Sequence, residues 1–196
     1  MANIAAKNTN KFVGISALHV IKGGFGAKFA IPTGGALEEI PVAEDGGFTY
    51  TGGEPSIEHY KIHGLTADWT SRTTPGETSV NLFVPSITKD LLELFGFKVA
   101  DATGTAAGKS ITGGFVFQES SLAVTLGIAA INDEGTKLFG IKAAKLSATI
   151  VFDEANSAKP IGISLTGSTS AGADDDAMGI FELDTAPSGS SSSSSE

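Results

Sequence analysis

Apolar and small residues alternate strictly in three runs of this sequence, and this alternation constrains the fold more than any other feature. The runs are SLAVTLGIAAI, KLSATIVF and PIGISLTGS, which begin at Ser121, Lys145 and Pro160. Because successive side chains of a β-strand point to opposite faces, a period of two predicts strands with one buried face. The residues predicted to be buried are Leu122, Val124, Leu126, Ile128, Leu146, Ala148, Ile150, Phe152, Ile161, Ile163 and Leu165. The alternation therefore predicts a mainly β fold.

The opposite face of these three predicted strands carries small, weakly polar side chains. They are Ser121, Ala123, Thr125, Gly127, Lys145, Ser147, Thr149, Gly162, Ser164 and Thr166. A sheet face that meets bulk water usually carries long charged side chains instead. We therefore expect something to pack against this face or to slide along it.

One short helix is predicted in the middle of the chain, at about Thr88–Phe95. Pro85 ends the strand before it, and either Ser86 or Thr88 can cap its first turn, where Asp90 suits the helix dipole. Gly96 supplies the stop. The apolar stripe of this helix consists of Leu91, Leu94 and Phe95. A helix this short is not stable alone, so we expect its stripe to lie on a sheet.

The rest of the chain has weaker patterns. Strands are predicted at Phe12–Ile21, near Ala27–Ile31 and Ala36–Val42, at Ile57–Leu65, around Val80, Leu82 and Val84, and in the last IFELD run. Turn residues in Ala43–Ser56 predict a long loop or a projecting hairpin. We expect an N-terminal arm at residues 1–11, a single β domain at 12–185 and a flexible Ser-rich tail at 186–196.

Composition narrows the possible functions. The 196 residues carry a formal net charge of −9, which argues against binding nucleic-acid phosphates. Without cysteine, the chain has no disulfide, thiolate nucleophile or Cys-ligated zinc. No run has the length of a signal-peptide core or a membrane span.

Several motifs resemble reactive or ligand-binding sites without completing them. GTAAGKS, from Gly104 to Ser110, has one residue too few for a phosphate-binding loop and no helix pattern after it. The Asp174–Asp176 run lacks the alternating ligands and closing Glu of a calcium loop, so a solvated acidic loop is the simpler interpretation.

The histidines and carboxylates do not form a predicted site either. His59 and His63 lie on a predicted strand, too far apart for easy shared coordination, although His19 is a possible third ligand. Glu38 and Glu39 would face opposite ways on a strand. Without a Gly-x-Ser-x-Gly elbow, the sequence predicts no catalytic, cofactor-binding or metal residue and no enzyme. The single tryptophan, Trp69, is predicted with equal weight as a core residue or an interface anchor.

Three successive motifs in the middle of the chain carry a family resemblance. They are GGEPSIEHYKIHG, TTPGETSVNLFVPS and KDLLELFGF. They combine Gly-Glu-Pro before a strand, Pro-Gly-Glu opening a strand that ends near Pro85, and a short helix of the Leu-Leu-x-Leu-Phe-Gly type. This succession resembles the major tail tube proteins of long-tailed bacteriophages.

The resemblance implies a β-sandwich or barrel with one short flanking helix and extended arms and loops. It implies a structural virion protein of the tail, assembled in the cytoplasm of a bacterial host. Its hexameric rings would stack into a hollow conduit for DNA and would meet the tape measure, terminator and distal tail proteins. DNA would pass without specific binding, repelled by the negative charge of the chain, and no membrane or cofactor would take part.

Within this interpretation we expect the side that carries Ser121, Thr125, Ser147 and Thr149 to line the channel. We expect the loop Ala43–Ser56 and the N-terminal arm to join ring to ring. Two alternatives stay open: another β-structured virion protein, such as a head-decoration or tail-terminator protein, and a bacterial β-sandwich for adhesion or carbohydrate binding. The sequence does not distinguish a contractile from a non-contractile tail.

Overall fold

Strands dominate the computed structural model, which describes residues 14–42, 47–64, 66, 68–118, 121–152, 161–170 and 176–183. The strands are β1 Ala17–Lys22, β2 Glu38–Ile40, β3 Phe48–Thr51, β4 Ser56–Tyr60, β5 Thr70–Thr74, β6 Ser79–Val84, β7 Val99–Asp101, β8 Thr105–Ala106, β9 Lys109–Ser110, β10 Phe115–Phe117, β11 Val124–Ile131, β12 Lys137–Val151, β13 Gly162–Thr169 and β14 Met178–Glu182. One α-helix, α1 Lys89–Leu94, lies among them. The predicted arm at residues 1–11 and the tail at 186–196 lie outside the described residues.

A single large antiparallel sheet organises the described residues. Its strand order is β2-β1-β11-β12-β13-β6-β3, and β14 pairs with the first part of β12. Three separate two-stranded sheets are formed by β4 with β5, by β7 with β10, and by β8 with β9. The mainly β prediction is therefore confirmed.

The large sheet curls around one hydrophobic core. Ile40 from β2, at one edge, belongs to the same core cluster as the central strands, and Phe48 and Tyr50 from β3, at the other edge, pack against it. Tyr50 also meets Phe139 of β12 with 5.8 Å between ring centroids, although β13 and β6 separate their strands in the sheet. Such a contact requires strong curvature, since neighbouring strands are about 4.8 Å apart.

The long strand β12 changes the face that it buries part-way along. Leu126 of β11 pairs with Ala144, but Ile128 pairs with Ile141, so Lys142 and Ala143 together oppose one residue, Gly127. This is a β-bulge, and it reverses the alternation. The core-facing residues of β12 are Phe139 and Ile141 before the bulge and Ala144, Leu146, Ala148 and Ile150 after it.

The structure confirms the predicted helix, and its two ends agree with the prediction within one residue. Thr88 is the N-cap, and its Oγ1 accepts a hydrogen bond from the Leu91 backbone N–H at 3.3 Å. Phe95 is fully buried in the core of the sheet, and Gly96 adopts a left-handed φ of 84° at the C-terminal end. Leu92, which was not part of the predicted stripe, is fully buried as well. The helix therefore covers one side of the core.

Three expectations differ from the structure, although the ribbon that β3 forms with β6 partly meets the projecting hairpin that was one possibility for Ala43–Ser56. Ala27–Phe29 form a 3-10 turn instead of a strand, because Lys28 and Phe29 have positive φ values of 52° and 61°. The predicted loop Ala43–Ser56 contains strand β3, whose aromatic side chains bind it to the core; residues 43–46 lie outside the described part. Leu122, Phe152 and Ile161 were predicted to be buried but are exposed, because all three lie beyond the ends of their strands.

Candidate assembly surfaces

Most of the outward side of β12, β13, β6 and β3 is a surface of polar side chains, which we call the polar face. Its members are Lys145, Ser147, Thr149, Ser164, Thr166, Ser168, Ser79, Asn81, Thr49 and Thr51. At one end the same side carries the half-buried apolar residues Phe83 and Val151. Ser147, Thr166, Asn81 and Thr49 stand side by side across the four strands. The hydrophobic core supports this surface from behind, because the alternate residues of the same strands are buried.

Lys145 is the only ionic group among the ten residues of the polar face. Ser79 and Ser164 are half-buried, and the other members are exposed. The negative charge of the chain lies elsewhere: Glu39 is exposed on β2, Glu58 on β4 and Glu93 on α1. The polar face itself is therefore nearly neutral.

The four residues predicted to line a channel do not all lie on the polar face. Ser147 and Thr149 are exposed on it, and Thr125 faces the same way opposite Lys145, but it is half-buried on the neighbouring strand β11. Ser121 has a different role. Its Oγ accepts a hydrogen bond from the Ala148 backbone N–H at 2.8 Å and donates to the Ala148 carbonyl at 3.1 Å. Ser121 therefore holds the backbone of β12 where β11 no longer pairs with it.

A long two-stranded ribbon runs out of the sheet beside the polar face. Its inner part is β3 paired with β6, and its outer part, β4 paired with β5, we call the projecting hairpin. The parts are separated by Pro55 on one arm and Pro75 on the other, and proline has no N–H for a strand ladder. At the same level Gly53 and Gly76 lie so close that a Cβ on Gly53 would be 2.2 Å from the Gly76 backbone carbon.

The projecting hairpin has no core of its own, since all ten residues of β4 and β5 are exposed. It nevertheless presents large apolar side chains to solvent. These are Ile57, Tyr60, Ile62 and Trp69. Trp69 is 66% exposed, and its backbone N–H donates to the Tyr60 carbonyl at 2.9 Å. The interface-anchor interpretation of Trp69 agrees with this exposure, and a core position does not. A sequence signal for the hairpin exists in the two prolines that flank it.

The histidines do not assemble a metal site. His59 Nδ1 lies 2.6 Å from Asp68 Oδ2, and Lys61 Nζ lies 3.9 Å from Asp68 Oδ1, so these contacts hold the end of the hairpin together. His63 follows in the turn, and His19 is in β1 of the large sheet. Among the described residues, no group of three His, Cys, Asp or Glu side chains could hold a metal ion.

The GTAAGKS segment is a small hairpin. Thr105–Ala106 pair with Lys109–Ser110, and Ala107 and Gly108 turn the chain with φ values of 50° and 74°. No helix follows to direct backbone N–H groups at a phosphate. The plain-loop interpretation is therefore closer to the structure than a nucleotide site.

Two lysines are buried in β12, which the sequence analysis did not predict. Lys142 donates to Asp176 Oδ1, and this hydrogen bond, with the positive charge behind it, lowers the pKa of the Asp176 carboxyl below its ordinary value of 3.8. Asp176 thus belongs to a structural ion pair, while Asp174 and Asp175 lie outside the described residues. Lys137 is 9% exposed, and its Nζ has no hydrogen-bond partner among the described residues. The signal was available in the run KLFGIKAAK, where lysines interrupt apolar residues.

Comparison with known proteins finds similarity to solved structures. No protein-family model matches the chain, and a search of curated proteins finds no relative. The fold is similar to a chain of the extracellular contractile injection system described as the PVC sheath-tube complex in extended state. The two chains are 11% identical, the similarity covers 93% of this chain and 100% of the other, and the TM-score is 0.42. Within the described residues, no helix has the length and apolarity needed to cross a membrane.

Proposed function

We propose that this chain is a structural subunit of a hollow tail tube, of the kind found in long-tailed bacteriophages and related injection systems. The observation that carries the proposal is the polar face, a four-stranded surface of hydroxyl and amide groups with one lysine. Facing the bore of a hexameric ring, such a surface would let DNA pass without gripping its phosphates, because binding to phosphates depends on Lys and Arg. The chain would then be a structural protein rather than an enzyme.

The edges of the large sheet fit this role. Among the described strands, β2 and β3 each pair on one side only. An unpaired edge is a template for another chain. In the proposed ring, neighbouring subunits cover these edges, and the tape measure, terminator and distal tail proteins meet the finished tube. The similar chain belongs to a sheath-tube complex, but the proposal rests on the polar face and the open edges.

The projecting hairpin would join one ring to the next. An isolated two-stranded sheet is marginally stable in water, and this one exposes Trp69, Tyr60 and Ile57. Contact with the adjacent ring would bury these side chains and fix the hairpin. This assigns the ring-to-ring contact to Ser56–Thr74 and replaces the earlier expectation for Ala43–Ser56, whose strand β3 belongs to the sheet.

Electron microscopy and analytical ultracentrifugation of the purified chain test the proposal. We expect rings or hollow tubes that increase with protein concentration. Trp69 offers a second readout, because it is the only tryptophan and its emission should shift to shorter wavelength when the hairpin becomes buried. Monomers at every concentration, with unchanged emission, would contradict the proposal.

A second candidate function is carbohydrate binding by the projecting hairpin. It is favoured by two exposed aromatic side chains of the hairpin, Trp69 and Tyr60, since flat aromatic side chains are the usual surface on which sugars stack. Titration with oligosaccharides at a dilute, constant protein concentration separates the candidates. Saturable quenching of Trp69 by a sugar favours carbohydrate binding, whereas an emission change that follows protein concentration alone favours tube assembly.

A further inference from the structure

The ammonium group of Lys137 is buried in a position where it would be expected to have a partner. Lys137 is the first residue of β12, and its Nζ exposes less than 1 Å² to solvent. Its backbone is fixed on both sides by the buried Asn132. The Lys137 N–H donates to Asn132 Oδ1 at 2.7 Å, and its carbonyl accepts from the Asn132 N–H at 3.0 Å. The backbone of Lys137 is therefore held in place at the start of β12.

Burial of an unpaired cation is unfavourable, and the same strand shows the usual solution five residues further on. Lys142 is equally buried and donates to the carboxylate of Asp176. Buried charges in proteins are generally paired in this way. Lys137 lacks such an acceptor within the described residues. A carboxylate from outside the subunit would complete its environment.

The surface around Lys137 has the features of a contact site. Strand β14 pairs with the part of β12 that begins at Lys137. Glu182 and Ile180 of β14 stand opposite Lys137 and Phe139, and Met178 follows on the same face of the sheet. Ile180 is 68% exposed and Met178 is also exposed. Among the described strands, β14 pairs with β12 alone, so its other edge is open. An apolar strip beside an open strand edge and a buried cation suits an extended segment that carries an acidic residue.

We propose that Lys137 binds a carboxylate of a second copy of this chain, docked along β14. This inference rests on the proposed self-assembly. Charge complementarity supports the choice of partner, because a chain with a net charge of −9 presents surplus carboxylates to its neighbours. Lys137 is thus an assembly residue: its charge is unfavourable in the free subunit and becomes favourable when the neighbour arrives.

Comparison of the wild type with Lys137→Met tests this inference in two measurements. In dilute solution, where subunits are separate, we expect the melting temperature of Lys137→Met to equal or exceed that of the wild type. In a concentration series, we expect its critical concentration for assembly to rise about thirtyfold or more, because removal of one partner from a buried charge pair weakens an interface strongly.

Two matched variants complete the experiment. Lys142→Met removes a buried lysine that is already paired, so it should lower the melting temperature of the free subunit. Glu182→Gln removes the carboxylate that stands opposite Lys137 on β14 and should change neither measurement. Assembly of Lys137→Met at the wild-type concentration overturns the inference. So does a loss of melting temperature in Lys137→Met that equals the loss in Lys142→Met. A wild-type chain that never assembles overturns the proposed function and this inference together.

Discussion

At the scale of single residues, Asp176 connects the start of β14 to β12. The hydrogen bond from Lys142 lowers the pKa of Asp176 in the folded state. A carboxyl group with a depressed pKa stabilises the fold above its unfolded-state pKa, and this contribution is lost as the pH falls through the folded-state value. Acidification should therefore weaken the attachment of the start of β14 to β12, while the backbone pairing of the two strands remains.

We predict that Asp176→Asn melts at a lower temperature than the wild type at neutral pH. The difference should stay constant from about pH 5 upward, shrink as the pH falls below about 4, and disappear once the pH lies below the lowered pKa of the folded-state carboxyl. Thermal unfolding followed by circular dichroism across this range measures it. Glu134→Gln, in an exposed turn, is the control for loss of one negative charge. A difference that does not depend on pH would contradict the role of the ion pair.

Thr88 gives a second residue-scale prediction. Thr88→Ala removes the side chain that caps α1, and it should lower the free energy of unfolding by about 1 kcal/mol. Urea denaturation measures this loss. Thr88→Ser keeps a hydroxyl group at the cap and should recover most of the stability. If both variants unfold like the wild type, the hydrogen bond to the Leu91 N–H contributes nothing to stability.

At the scale of elements, the ribbon divides into a part that builds the sheet and a part that projects. The backbones of Gly53 and Gly76 touch where the parts meet. A direct link between them would therefore shorten the ribbon without separating β3 from β6, which remain neighbours in the sheet.

We predict that deletion of residues 54–75, which joins Gly53 to Gly76, leaves a folded subunit that forms rings but does not stack them. The matched control is deletion of Gly46–Gly53, which removes β3 and should unfold or strongly destabilise the subunit. Circular dichroism and electron microscopy separate these outcomes. Normal tubes from the first deletion would refute the role of the projecting hairpin.

The sequence predicted those elements whose local pattern agrees with their packing. Helix α1 and the buried faces of β6, β11 and the second half of β12 followed from caps and alternation. The pattern did not reveal the bulge at Lys142 and Ala143, because it depends on the register with Gly127 of another strand. The wrong strand at Ala27–Ile31 has a similar origin, since Phe29 packs on Phe181 at 5.0 Å, a contact between distant parts of the chain.

The candidate surfaces were predictable to a smaller extent. Ser147 and Thr149 were recognised because their small polar side chains alternate with buried residues. Asn81 and Thr49 were missed, although they stand in the same row, because β6 and β3 become neighbours of β13 and of each other only in the folded sheet. The run KLFGIKAAK indicated that Lys137 could be buried, but the absence of an acceptor for its Nζ among the described residues follows only from the folded structure.

At the scale of the whole molecule, the placement of charge is more informative than its total. The chain has a net charge of −9, yet the polar face contributes one positive charge and no carboxylate. In the proposed tube, the acidic side chains would lie on the outer surface and at contacts, and the channel would be nearly neutral. DNA would then pass because the channel lining does not attract its phosphates.

We predict that tubes of the Thr149→Lys, Thr166→Lys double variant retain DNA, whereas wild-type tubes do not. Added ammonium groups on the polar face would bind phosphates in proportion to their number, and salt would release the DNA. Co-sedimentation of tubes with labelled DNA measures retention. Glu93→Lys, on the exposed side of α1, adds positive charge away from the polar face. If both variants retain DNA equally, the polar face does not line the channel.

The bulge in β12 also determines how the chain tolerates changes in length. Before the bulge the odd-numbered residues of β12 point into the core, and after it the even-numbered residues do. The extra residue in the pair Lys142 and Ala143 causes this change. Loss of one residue at the bulge would restore a regular alternation and keep Ile141 and Ala144 inside. Loss of Lys145, in the regular stretch that follows, would instead bring Ser147 and Thr149 into the interior and turn Leu146 and Ala148 to the solvent. Homologous chains should consequently vary in residue type along this strand far more readily than in residue number.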